Sequence, residues 1–146
     1  MSTEEQAGVS KVGPNVDFDL LRGFLNDCNG DGKHERCMDR EGAIASGEGL
    51  PYIRLIDCFK VKLVTVGSRS KKYCALSYVW GSYDRSHEPP FQDVETGDMI
   101  FQNLPKTIQD CVIAVRALGH QYVWVDRYCI NQKDSQEIET MLANMD

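Results

Sequence analysis

Residues 73–81 read YCALSYVWG and residues 122–132 read YVWVDRYCINQ. The apolar run 73–80 has the character of a strand covered on both faces, and 122–125 reads as a short buried strand. Between them, residues 105–118 (PKTIQDCVIAVRAL) place Ile108, Cys111, Val112, Val115 and Leu118 on one helical stripe. Pro105 suits a first turn, and Gly119 stands where a glycine ends a helix. Strand, crossover helix and strand predict a βαβ unit with parallel strands. The expected fold class is therefore α/β with a parallel-sheet core built on that unit.

Parallel strands end on the same edge of a sheet, and open α/β folds bind ligands beyond those carboxyl ends. Ser77, Tyr78, Trp80 and Gly81 close the first run; Asp126, Arg127, Cys129, Asn131 and Gln132 follow the second. The topology thus predicts one rim carrying a hydroxyl, an indole, a carboxylate, a guanidinium, a thiol and two amides. That is more polar variety than a core needs. These residues are the expected ligand-binding set.

Outward from this unit, 52–59 (YIRLIDCF) and 61–66 (VKLVTV) are β-branched and partly alternating, as half-buried strands are. Their short connection carries no two-residue hairpin signature. Residues 17–28 repeat apolar side chains at helical spacing, with Asp17 as the cap. Residues 1–16 read as a flexible leader. The stretch 82–103 is long for a connection, and a last helix is expected to start near Asp134.

Composition narrows the function classes. With 42% hydrophobic and 26% charged residues the chain is globular in kind, not disordered. A formal charge of -6 argues against nucleic acid or an anionic membrane as partner, since both demand a basic surface. No apolar run approaches the ~18 residues that span a bilayer, and the N-terminus lacks the apolar core of a secretory signal. A cytoplasmic location follows, where six cysteines stay mostly reduced.

The runs ALSYVWG, then LPKTIQDC, then YVWVDRYCINQ, in this order, resemble the heterokaryon incompatibility (HET) domain of filamentous fungi. Cys28, His34, Cys37 and the RLID of residues 54–57 fit what precedes those runs in the family. The resemblance covers 17–146. It implies an intracellular module of non-self recognition that triggers growth arrest and programmed cell death through protein partners or self-association. It also implies a remote likeness to TIR domains, with a flavodoxin-like sheet, and further strands and helices beyond Asp146. Some TIR domains cleave NAD, so NAD is a substrate to weigh here rather than a cofactor; an inactive truncated paralogue is a third reading. Met141 stands where the family pattern has Gln.

Each residue carries a plainer reading beside the functional one. Glu137 and Asp126 are the catalytic candidates if an N-glycosidic bond is cleaved, because a carboxylate stabilises oxocarbenium character at the ribose. Otherwise Glu137 is an acid favoured by a helix N-terminus, and Asp126 caps a turn or pairs with Arg127. Trp80 packs the rim or contacts ligand, and Ser77 lacks a nucleophile elbow. Cys129 is a nucleophile only if its thiol pKa is lowered, and otherwise a buried structural thiol. Asn131 and Gln132 bind a nucleotide or tie their loop. Cys28, His34 and Cys37, with Cys58 as a fourth, have soft-ligand chemistry, but their spacing fits no standard zinc finger. No metal is expected.

Overall fold

The computed structural model describes residues 13–29, 52–67, 71–81, 89–93 and 95–144. The first helix, α1 (Phe18–Asn29), begins where Asp17 Oδ1 accepts the Leu20 amide at 3.0 Å, the expected cap. Most of the leader, residues 1–12, lies outside the described residues.

Strands β1 (Tyr52–Asp57) and β2 (Lys62–Gly67) pair antiparallel in full register, from Tyr52 opposite Gly67 to Asp57 opposite Lys62. The turn between them uses no Asn-Gly pair. Asp57 Oδ1 accepts the amides of Phe59 and Lys60, each at 3.0 Å, and Val61 takes a positive φ of 50°. A side chain thus does the work usually left to a permissive backbone.

Strand β3 spans only Cys74–Ala75, far shorter than the expected 73–80. Its partner, β4 (Tyr122–Trp124), is itself three residues long. After the Leu76 amide bonds the Trp124 carbonyl at 3.0 Å, the chain leaves the sheet. Val79 is then 91% exposed, the reverse of a strand covered on both faces.

Helix α2 (Lys106–Ala117) buries Ile108, Val112 and Val115. It ends as its sequence predicts. Gly119 has φ 84°, its amide bonds the Arg116 carbonyl, and the His120 amide bonds that of Val115.

Among the described residues the sheet has four strands in the order β2-β1-β4-β3. Strands β3 and β4 run parallel, so the βαβ unit forms as expected. The rest of the expectation needs correcting: β1 is antiparallel to both β2 and β4, and the core is a mixed, mostly antiparallel sheet. The short β1–β2 connection allows only antiparallel pairing. Leu55 and Ile56, neighbours on β1 that point to opposite faces, are both fully buried. The sheet is therefore covered on both sides at its centre.

Two helical elements follow β4. The single turn α3 (Asp126–Cys129) follows β4 directly, and α4 (Ser135–Leu142) begins at Asp134, whose Oδ1 accepts the amides of Gln136 and Glu137 at 3.1 Å each. Among the described residues no helix is long and apolar enough to cross a membrane.

Candidate functional site

The exits of β3 and β4 meet. Trp80 Nε1 lies 3.0 Å from each oxygen of the Asp126 carboxylate. Asp126 Oδ1 also accepts the Arg127 amide at 2.6 Å. Asp126 thereby fixes the indole on one side and the first turn of α3 on the other. Gly81, directly after Trp80, has φ 73°, a backbone conformation that favours glycine.

Trp80 and Arg127 line a cleft of about 350 Å³ with Tyr78, Pro89, Leu104 and Pro105. The last two belong to the entry of α2, a contribution not foreseen among the candidates, although the LPKT stretch was its visible mark. Ser77 is exposed and is not part of the lining.

The remaining candidates all make contacts within the protein. Gln132 Nε2 donates to the carbonyls of Asp126 (3.0 Å) and Ile130 (3.4 Å). Asn131 Oδ1 accepts the Lys133 amide at 3.2 Å. Both amides tie the loop between α3 and α4. Glu137 Oε1 accepts the Asn131 amide at 3.0 Å and forms an ion pair with Arg54 of β1. Arg54 Nε also donates to the Cys129 carbonyl at 3.0 Å. Glu137 thus sits in a clamp joining β1, α3 and α4, away from the cleft lining. Arg54 was missed as a key residue: a charged side chain in an alternating strand reads as a solvent-facing position.

Cys129 is fully buried and its thiol accepts the Val125 amide at 3.4 Å, so it faces the interior and not the rim. Burial pushes this thiol up to about 12. Burial does the same to Cys58, with the Cys111 thiol adding to it and Arg116 opposing, again to about 12. Neither is an activated nucleophile. In the native protein at pH 8, iodoacetamide should modify Cys58 and Cys129 on the order of a hundredfold more slowly than in urea, read by peptide mass mapping. Equal rates in both conditions would show the thiols to be accessible. The same shifts set a pH dependence. A thiol pKa raised in the fold stabilises it fully below the ordinary value of 9.0, and that stability is lost as pH rises from 9.0 toward about 12.

Of the metal candidates, Cys28 is half-buried, and His34 and Cys37 lie outside the described residues. Among the described residues no group of three or more His, Cys, Asp or Glu side chains is arranged to hold a metal ion.

A family model described as "Heterokaryon incompatibility protein (HET)" matches residues 73–146. This chain belongs to that family. The heterokaryon incompatibility match begins at β3 and takes in the whole βαβ unit, the Trp80–Asp126 contact and the Arg54-bound Glu137. A curated relative, Heterokaryon incompatibility protein 6, OR allele, of Neurospora crassa, is 28% identical over 113 residues, covering 65% of this chain. The chain spans 17% of that relative's length. No solved structure matches this heterokaryon incompatibility domain.

Proposed function

We propose that this chain is a signalling segment of fungal non-self recognition, feeding a growth-arrest and cell-death response through contacts with protein partners rather than through bond cleavage. The observation that carries the second half is the engagement of the two candidate carboxylates. Asp126 is held by the Trp80 indole and Glu137 by Arg54, and neither lines the cleft. A glycosidase needs a carboxylate within reach of the anomeric carbon. Family membership supports the first half.

The test is expression of the chain from an inducible promoter in a filamentous fungus, with growth and cellular NAD followed together. Wild type, Glu137→Gln and Asp126→Asn are expected to arrest growth alike while NAD holds steady. A fall in NAD that disappears in Glu137→Gln, with that variant still folded by circular dichroism, would overturn the non-catalytic reading and favour NAD cleavage.

A further inference from the structure

Strand β3 stands last in the order β2-β1-β4-β3, so one of its edges has no neighbour among the described residues. Its backbone groups divide by side. Cys74 is in register with Val123, and the Leu76 amide bonds the Trp124 carbonyl at 3.0 Å, so Cys74 and Leu76 serve β4. In a parallel ladder the alternate residues Tyr73, Ala75 and Ser77 then aim their N–H and C=O groups away from β4. Neither these three nor Val79 makes a hydrogen bond among the described residues. Exposure alternates in step. Tyr73, Ala75, Ser77 and Val79 are exposed, while Cys74, Leu76, Tyr78 and Trp80 are half-buried. The short ladder thus sits in a longer stretch whose side chains alternate as a strand's do.

The opposite edge of the sheet is partly covered, since Lys62 of β2 bridges Asp98 and the Met99 amide bonds the Val61 carbonyl at 2.9 Å. Edges left open are usually blunted by charge or proline. Residues 73–79 (YCALSYV) contain neither. What they do contain matches itself. When two copies pair antiparallel about Leu76, Tyr73 of each stands opposite the partner's Val79, and Ala75 opposite the partner's Ser77. The outward residues meet only outward residues, so each pair can exchange both backbone bonds, about eight in all. Tyr73 is 42% and Val79 91% exposed, and an aromatic facing a β-branched side chain is a stabilising cross-strand pair. Lys71 and Lys72 fall opposite Gly81 and Trp80, so the lysines of the two copies do not meet. Sliding the register by two residues sets Tyr73 against Ser77 or Gly81 and loses the apolar pair.

We propose that the free edge of β3 is a self-association surface, on which two copies of this chain join antiparallel about Leu76 with Tyr73 packed on the partner's Val79. The contact is the same on both copies and closes at two. It supplies one partner for the contact-based signalling proposed above and rests on that reading for its role. Association is read on the purified chain, so the two can fail separately.

The test is sedimentation velocity of the full chain between about 10 µM and 1 mM, with amide hydrogen exchange at both ends of that range. A monomer–dimer equilibrium is expected, and the amides of Tyr73, Ala75, Ser77 and Val79 should gain protection as the dimer fills. Ala75→Pro removes an outward N–H that β4 does not use, and should leave a monomer with unchanged circular dichroism. Val79→Lys is felt twice across the two-fold axis and should weaken the dimer about tenfold, as should Tyr73→Glu. The double variant Tyr73→Glu/Val79→Lys should recover most of that loss, because opposite charges then face each other. The pairing is overturned if the chain stays monomeric at about 1 mM, if open-ended species form in place of a dimer, or if Ala75→Pro and Val79→Lys, both folded, dimerise as wild type does. In the growth assay a monomeric Ala75→Pro chain should fail to cause arrest. Arrest that persists would sever the dimer from signalling, while association of the purified chain would still stand.

Discussion

Replacing Arg54 with alanine should lower the unfolding free energy by about 2–3 kcal/mol, read as a lower urea midpoint with an unchanged slope. The expectation follows from what the side chain joins. From the middle of β1, Arg54 reaches the Cys129 carbonyl at the end of α3 and the Glu137 carboxylate in the first turn of α4. Truncation leaves that carbonyl and that carboxylate half-buried without their donor. The two side chains are 29% and 26% exposed, so water recovers part of the loss, and the effect stays below the ~3–5 kcal/mol of a fully buried pair.

A companion set separates structure from chemistry. Glu137→Gln keeps an acceptor oxygen for the Asn131 amide and should cost only about 1 kcal/mol. The double variant Arg54→Ala/Glu137→Ala should fall short of the sum of its singles by about 1–2 kcal/mol, because each single change already breaks the clamp. Any loss of signalling in Glu137 variants should then follow their loss of stability. An Arg54→Ala protein as stable as wild type would mean that the clamp contributes nothing, and Glu137 would again be open to a chemical role.

Much of this frame is legible in the chain itself, and the reasons are local. Helix α2 is announced by Pro105, by the Ile108–Val112–Val115 stripe and by Gly119, all within reach of one another. The caps at Asp17 and Asp134 are equally local. The meeting of Trp80 and Asp126 follows from one topological inference, that a helical crossover makes β3 and β4 parallel. Strand neighbours are another matter. Nothing in 52–59 says that β1 inserts antiparallel beside β4, because that choice is made by contacts distant in sequence. The apolar run 76–80 misleads because strand length is set by the partner, and β4 ends at Trp124. Arg54 and Glu137 stand 83 positions apart, and no spacing rule connects them.

Asp57→Ala should be the more damaging change, at about 3–4 kcal/mol, measured by urea or thermal unfolding. Asp57 is 2% exposed, the one charged side chain among the buried described residues. Its Oδ1 accepts the Phe59 and Lys60 amides that shape the β1–β2 turn, and its Oδ2 accepts Gln121 Nε2 at 2.8 Å. In the register Asp57 stands opposite Lys62 of β2 and Tyr122 of β4, so one carboxylate braces three strands where they converge. Alanine would strand two backbone donors and one side-chain donor together, and it would do so at a turn where Val61 already holds a positive φ. Asp57→Asn should cost less, about 1–2 kcal/mol, since the amide oxygen can serve the turn while Gln121 flips its own amide to accept from the new NH2 group. An alanine variant within 1 kcal/mol of wild type would show that water takes over all three bonds, and that the turn is held by the strands on either side rather than by the carboxylate.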